Sequence, residues 1–161
     1  MEKLPEQQHF QQLVVEAKTM IREAQFRALQ VVNRELINLY LSLGKLILER
    51  QKKYDWGRSV VDHLSTELRN EFPDQSGYSS RNLWLMRGFY LEFHQNEFLQ
   101  PLVAEIGWSK NIVIFTQCKD NLQREFYLRM TQKFGWTKAV LIHHIENCSY
   151  EKYLTDRKSV V

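Results

Sequence analysis

The longest helical pattern in the chain covers residues 6–53, which read as helix almost throughout. In its first part, small and apolar residues recur at alternating three- and four-residue spacing, which is typical of a coiled coil or a tight helical hairpin. The residues of this seam are Val14, Ala17, Ile21, Ala24, Ala28 and Val31. From Asn33 the apolar stripe widens, as in a helix that enters a globular core. We therefore predict an N-terminal helical arm over residues 1–32 and a core that starts near Asn33.

The seam on this arm has two interpretations. It either packs against another helix of the same chain or pairs with a second chain. The alanines would let a partner helix approach closely in both cases. Because the seam lies at one end of the chain, we favour self-association, as a homodimer or a higher oligomer.

The rest of the chain predicts helices and no sheet. Six glycines and three prolines leave little room for a turn-rich β fold, and no convincing run of alternating polar and apolar residues is present. A length of 161 residues fits one domain. We predict an all-α fold, with the long N-terminal helix followed by a multi-helical, helix-turn-helix-like bundle. The further helices are predicted at about 59–72, 80–98, 109–118, 120–134 and 137–147, and residues 151–161 as a tail or the start of a linker.

Several features of the sequence indicate a cytoplasmic protein. Cys118 and Cys148 lie far apart, as is typical of reduced thiols in the cytosol. The amino end lacks the apolar segment of a signal peptide. The most apolar stretch, residues 36–48, is too short to span a bilayer, so we predict no membrane association. The net charge of +3 does not by itself indicate nucleic-acid binding.

Four predicted helix starts share a local pattern, in which an aromatic residue is closely followed by a small hydroxyl residue, a cation and an apolar run. Hydroxyl side chains at these positions accept hydrogen bonds from the free amides of the first helical turn. Gly135 is predicted to end the helix before it with a left-handed residue. The expected capping side chains are Ser59 (in a capping box with Asp62), Ser80, Ser109 and Thr137.

The cations at these helix starts suggest anion binding. A positive charge at the amino end of a helix is unfavourable with the helix dipole by about 0.3–1 kcal/mol. That cost is tolerable where the helix ends face phosphates, which they also bind directly. The cations concerned are Arg58, Arg81, Lys110 and Lys138.

Residues 77–90 are the segment that best matches a DNA-reading helix. A turn-forming break leads into a helix that begins with Arg81 and Asn82, and long polar donors at such a position are how many helix-turn-helix proteins contact a DNA groove. The expected buried stripe of this helix is Leu83, Met86, Tyr90 and Phe93. Trp84 and Arg87 then share a more exposed face with Arg81. The alternative is an ordinary amphipathic helix whose arginines are solvated.

No motif of this sequence indicates catalysis, a metal or a cofactor. The six glycines are isolated, so no phosphate-cradling loop is present. His144 and Cys148 are four residues apart on one predicted helix, but a third metal ligand is not evident. The Asp and the Glu-x-Lys motif on adjacent strands, which hold Mg²⁺ in a metal-dependent nuclease, are missing as well. We therefore expect a chain that is not itself an enzyme.

Several short motifs, in order along residues 30–147, resemble the amino-terminal domain of the YhcG family. The earlier motifs are Asn33-Arg34-Glu35-Leu36, Leu43-Gly44-Lys45, Trp56-Gly57 and Glu71-Phe72-Pro73. The later ones are Ser80-Arg81-Asn82-Leu83, Met86-Arg87, Trp108-Ser109-Lys110-Asn111, Arg124-Glu125-Phe126-Tyr127-Leu128 and Gly135-Trp136. The connection from Phe72 to Ser79 is longer than the turn of a compact helix-turn-helix.

The resemblance implies a bacterial protein of two parts, in which this helical domain precedes a PD-(D/E)XK-type nuclease domain that acts in DNA processing. It implies a YhcG-type helical domain over residues 33–150, either excised from a longer protein or a stand-alone version. On this basis we predict a non-catalytic DNA-binding module, and as the alternative a helical scaffold for oligomerisation or protein docking. The predicted DNA contacts are Arg58, Arg81, Asn82, Trp84, Arg87, Lys110, Asn111 and Lys138.

Overall fold

The structure, a computed structural model, describes residues 6–159, with side chains over residues 6–157. This range contains eight helices and no strand. The all-α prediction, with a long N-terminal helix followed by a helical bundle, is therefore confirmed. The helices are α1 Gln7–Tyr54, α2 Ser59–Glu71, α3 Ser80–Phe93, α4 Gln100–Val103, α5 Trp108–Gln117, α6 Asn121–Phe134, α7 Lys138–Glu146 and α8 Ser149–Ser159.

Two segments differ from the predicted helix boundaries. The helix predicted over 80–98 ends at Phe93, and the Asn96 side chain accepts hydrogen bonds from the amides of Phe98 and Leu99, both at 3.1 Å. This turn leads directly into α4. The segment expected to be a tail, residues 151–161, lies largely in α8, where Tyr150 and Tyr153 pack against Phe126 of α6. Residues 160 and 161 lie outside the described range.

The second half of α1 packs closely across α3. At Gly44 an added methyl group would overlap the carbonyl oxygen of Met86, so only a glycine permits this approach of the two backbones. Ile37 is the first fully buried residue of α1 within the described range, and Tyr40, Ile47 and Leu48 follow it into the core. These contacts make α1 the support on which the bundle is assembled.

Helix α3 is the centre of the bundle, because α1 covers one side of it and α5 another. Its buried residues are Leu83, Met86, Phe89 and Phe93. Phe89 therefore takes the place predicted for Tyr90, which is partly exposed. The Phe89 ring contacts Trp108 and Phe115 of α5 edge-on, with ring centres at 5.2 and 5.9 Å. Only a narrow strip of the α3 surface remains accessible to solvent.

A buried arginine joins α5 to α6. Arg124 is 1% exposed, and its guanidinium donates to the carbonyl oxygens of Cys118 and Phe115 at 2.8 and 3.3 Å. It also reaches the carboxylate of Glu92 at 3.4 Å. These partners satisfy a charge that would otherwise be costly to bury. Burial raises the pKa of the neighbouring Cys118 thiol to about 11.

The helix ends confirm some of the predicted caps and correct others. Thr137 accepts the amide of Val140 at 3.2 Å, and Gly135 is left-handed with φ 61°, both as predicted. Helix α3 is capped by Ser79 and not by Ser80. The predictions for α2 and α5 are wrong, because neither helix has a side-chain cap: Arg58 and Gly107 occupy the cap positions in place of Ser59 and Ser109.

The arm is solvent-exposed along the described part of its length. Each seam residue from Ala17 to Val31 is exposed, and Val14 is partly exposed. Nine large apolar side chains of the arm are between 42% and 69% exposed: Phe10, Leu13, Val15, Met20, Ile21, Phe26, Leu29, Val31 and Val32. The seam therefore does not pack within the monomer. None of the described helices is long and apolar enough to cross a membrane.

Candidate functional site

The structure distributes the eight predicted DNA contacts over three surface depressions and the protein interior. Arg58, Trp84 and Arg87 line one open cleft, which we call the Trp84 cleft. Arg81, Asn82 and Lys138 line a second, the Arg81 cleft. Lys110 lies at a third depression beside the root of the arm. Asn111 is buried.

The Trp84 cleft lies between the end of α1, the start of α2 and the exposed strip of α3, and has a volume of about 360 Å³. Trp84 lies between two guanidinium groups, with the Arg58 and Arg87 carbon centres 5.9 and 5.3 Å from its ring. Each such cation–π contact contributes about 0.5–1 kcal/mol at an exposed site. The lining residues are Gln51, Lys52, Asp55, Trp56, Gly57, Arg58, Trp84 and Arg87.

Local structure fixes the side chains of this cleft. Arg87 donates from Nε to Gln51 Oε1 at 2.7 Å, which ties α3 to α1 and holds the Arg87 side chain at the cleft. Asp55 caps the end of α1 in a left-handed conformation (φ 52°), which aspartate tolerates. The Trp56 amide then donates back to Gln51 O at 3.1 Å. This turn places the Trp56 ring at the rim of the cleft.

The Arg81 cleft continues from the same strip of α3 toward α5 and α7, with a volume of about 410 Å³. Arg81 and Lys138 are both exposed. Arg81 and Trp84 are three residues apart on α3, so their side chains are neighbours on the helix surface. Among the described residues that line the two clefts, Asp55 carries the one carboxylate, beside the cations Lys52, Arg58, Arg81, Arg87 and Lys138.

The two asparagines predicted to contact DNA are engaged within the fold. Asn82 donates to Gly77 O at 2.6 Å and accepts from Trp108 Nε1 at 2.8 Å, which joins α3 to α5. Asn111 is 1% exposed and donates to the carbonyl oxygens of Val103, Ile106 and Gly107. Burial therefore removes Asn111 from the candidate DNA contacts, and Asn82 is positioned as a structural tie.

Lys110 is separate from both clefts. It lies at a depression of about 550 Å³ that is bounded by the arm root and by the turn before α5. Glu105 lines the same depression and pairs with Arg34 at 2.9 Å. The structure therefore does not place Lys110 together with the other predicted cations.

The prediction omitted three residues of the Trp84 cleft region. Lys52 and Trp56 line the cleft, and Tyr54 stacks on Trp56 with ring centres 4.9 Å apart and planes inclined by 23°. Tyr54 and Trp56 are 47% and 44% exposed. The sequence signal was available, because Lys52-Lys53-Tyr54-Asp55-Trp56 places aromatics beside cations where the long helix ends.

The pair considered for a metal, His144 and Cys148, makes other contacts. His144 stacks on Trp136 with ring centres 3.9 Å apart, and its Nδ1 shares a hydrogen bond of 2.8 Å with Ser149 Oγ. Over the described residues, three or more His, Cys, Asp or Glu side chains do not come together as a metal site.

Residues 16–152 match the family model of the DUF1016 N-terminal domain. The match covers well over half of the chain, so the chain belongs to this family. It takes in about half of the arm, all of α2 to α7 and the first turn of α8. Neither a curated protein nor a solved structure matches the chain.

Proposed function

We propose that this domain is a non-catalytic DNA-binding module, which in full-length proteins of the YhcG type directs a PD-(D/E)XK-type nuclease domain to its DNA. The observation that carries the proposal is the convergence of Lys52, Arg58 and Arg87 on the open cleft around Trp84. Arg81 and Lys138 extend this positive surface across α3 into the neighbouring cleft.

The charge on this surface favours phosphate. Five cations accompany a single lining carboxylate, although the whole chain carries a net charge of only +3. A local excess of this kind attracts a polyanion, and each neutralised phosphate releases counterions. Gly57 and Arg58, which immediately precede α2, also line the cleft. Helix amino ends are intrinsically suited to phosphate because their first amides are free.

The contacts that this surface offers are mostly to the nucleic-acid backbone. Asn82 and Asn111, the two amide side chains predicted to contact DNA, are hydrogen-bonded inside the fold. Arginines and lysines contacting phosphate set position and affinity but carry little sequence information. We therefore expect DNA binding with weak sequence preference. Such binding suits a module that delivers DNA to a separate nuclease domain.

Salt-dependent binding to labelled DNA tests this proposal. Fluorescence anisotropy with labelled duplex and branched DNA would be measured over a salt series for the wild type, for Arg58→Ala with Arg81→Ala, and for a control. The control, Arg129→Ala with Lys133→Ala, removes two exposed cations from α6. Loss of two phosphate contacts should lower the salt slope by roughly 2 and weaken binding, with the control unchanged. Equal slopes for both double variants would remove the cleft cations from the proposal.

The exposed arm favours a second function, self-association, which is compatible with the first. Monomeric proteins rarely expose large contiguous apolar patches, and nine large apolar side chains of the arm are exposed. The six predicted seam residues and their large apolar neighbours would be covered if the arms of two or more copies packed together. Paired copies would also present two positive surfaces to one DNA molecule, which raises affinity.

Light scattering tests self-association. We expect the wild type to be a dimer or larger and Ile21→Asp to be a monomer, because the charge would be buried in the seam. Gln12→Asp adds the same carboxylate at an exposed polar position of the arm and should leave the assembly intact. A wild type that stays monomeric at high concentration contradicts this second function.

A further inference from the structure

We infer that the Trp84 cleft binds unpaired nucleotides, so that the DNA recognised by this domain contains a single-stranded segment. This inference rests on the proposed function and adds the DNA structure that the cleft accepts. The observation behind it is the combination of exposed aromatic rings and cations at one open depression.

Two exposed aromatic side chains lie together where α1 ends. Trp56 is 44% exposed, and Tyr54, which stacks on it, is 47% exposed. Trp56 and Trp84 both line the Trp84 cleft of about 360 Å³. Burial of large aromatic side chains ordinarily stabilises a fold strongly, because they have a large apolar area. The exposure of Trp56 at this cleft, with Tyr54 stacked on it, is understandable if a flat, apolar partner covers the Trp56 ring.

The cations are interleaved with the rings. Lys53 Nζ lies 5.2 Å from the centre of the Tyr54 ring, and Arg58 and Arg87 lie on the Trp84 ring. Lys52 lines the same cleft. A single strand alternates flat bases with phosphates, and proteins bind it by stacking aromatics on the bases while basic groups follow the backbone. The cleft region presents both kinds of group side by side.

A blunt duplex could use only half of this surface. In a duplex the faces of the bases are stacked on one another, so they are not available to Trp56, and only the phosphates remain accessible to the cations. Groove reading from α3 is also limited, because the Asn82 amide is held by Gly77 and Trp108. Unpaired bases, at a flap, gap or end, are therefore the DNA feature that the rings select.

Trp56→Ala separates the two modes of binding. The Trp56 side chain is exposed, and a variant with an unchanged circular dichroism spectrum and melting temperature is folded. Anisotropy would be measured with a labelled single strand and with a closed duplex, in which every base is paired and both ends are blunt. We expect the wild type to prefer the single strand and Trp56→Ala to lose roughly 5- to 100-fold in affinity for it. Binding of the closed duplex should remain unchanged, and Trp56→Phe should restore most of the lost affinity.

Phe98→Ala is the matched control, because Phe98 is an 83% exposed aromatic residue that does not line the Trp84 cleft. Its affinity for the single strand should equal that of the wild type. Equal wild-type affinity for the two DNAs, with no effect of Trp56→Ala, would overturn the single-strand inference and leave the DNA-binding proposal standing. Absence of salt-sensitive binding to either DNA would overturn both.

Discussion

Both halves of α1 carry apolar residues at helical spacing, but these residues are largely exposed in the first half and largely buried in the second. The helix runs unbroken from Gln7 to Tyr54. In its first half Ile21 is 57% exposed, and in its second half Ile37 is completely buried. The bundle around α3 covers the second half only. A helical stripe in a sequence therefore predicts that a surface is to be buried, but not whether the partner belongs to the same chain.

The largest expected effect comes from making the same substitution in the two halves. Ile37→Ala opens a cavity in a fully buried site and should lower the free energy of unfolding by about 2–5 kcal/mol. Ile21→Ala removes a side chain that is mostly in solvent, so its cost in the monomer should be within about 0.5 kcal/mol. Urea unfolding at a protein concentration low enough to keep the chain monomeric measures both. Similar losses would mean that the arm is covered in the monomer.

The next effect concerns the crossing of α1 and α3. Replacing a glycine by alanine in an exposed helix stabilises it by roughly 0.8–1 kcal/mol. At Gly44 the new methyl group would overlap Met86 O, and we expect Gly44→Ala to destabilise the protein by about 1–3 kcal/mol instead.

Gly57→Ala provides the comparison, because nothing lies within 4 Å of the added methyl group. Chemical denaturation of the two variants should show a clear loss for the first and almost none for the second. A stabilised Gly44→Ala would show that the two helices cross less closely than described.

A smaller effect marks the border between the arm and the bundle. Asn33 donates to Ala104 O at 3.1 Å and to Ile106 O at 2.9 Å. Asn33→Ala should therefore cost about 1–2 kcal/mol, since two carbonyl oxygens lose a donor. Gln25→Ala, at an exposed position of the arm, should have almost no effect on the same unfolding curve. Equal effects of the two changes would place the border elsewhere.

The least perturbing test compares the two thiols. Cys118 is fully buried and its pKa is raised to about 11, chiefly by burial, so little reactive thiolate exists at pH 8. Cys148 is exposed. Mass spectrometry after treatment with an alkylating reagent at pH 8 should find one label on the native chain and two in denaturant. Rapid double labelling of the native protein would contradict the described core.

The raised pKa of Cys118 also predicts how the stability of the fold changes with pH. Because the folded protein binds this proton more tightly than the unfolded chain, the thiol favours folding below a pH of about 9. That contribution is progressively lost as the pH rises from about 9 to about 11. An alkaline unfolding series of Cys118→Ser should show a smaller loss of stability over this pH range than the same series of the wild type.

Most helices were predictable because their signals are local. The boundaries of α1, α2, α5, α6 and α7 lie within about one or two residues of prediction. Gly135 and Thr137 have the expected roles because left-handed glycines and hydroxyl caps act over a single helical turn. The polar α8 was not predicted, since its contacts with α6 are made across the fold and leave little periodicity in the sequence.

The candidate site was predictable only in part. The sequence indicated Arg58, Trp84 and Arg87, but not that they share a cleft with Trp56. It also treated Asn111 as an exposed donor, whereas three backbone carbonyls hold it in the interior. Residue type indicates what a side chain is able to bind. Burial decides which partner it has, and burial depends on distant segments.

The sequence by itself determined the helices, the long apolar stripe of α1 and the presence of cations beside aromatics, because propensity, periodicity and caps act within a few residues. Only the tertiary structure decided that the arm is exposed and that Gly44 lies against Met86. It also brought the end of α1 and the middle of α3 together at the Trp84 cleft. The physical reason is that these outcomes depend on packing between residues tens of positions apart, which local sequence preferences do not specify.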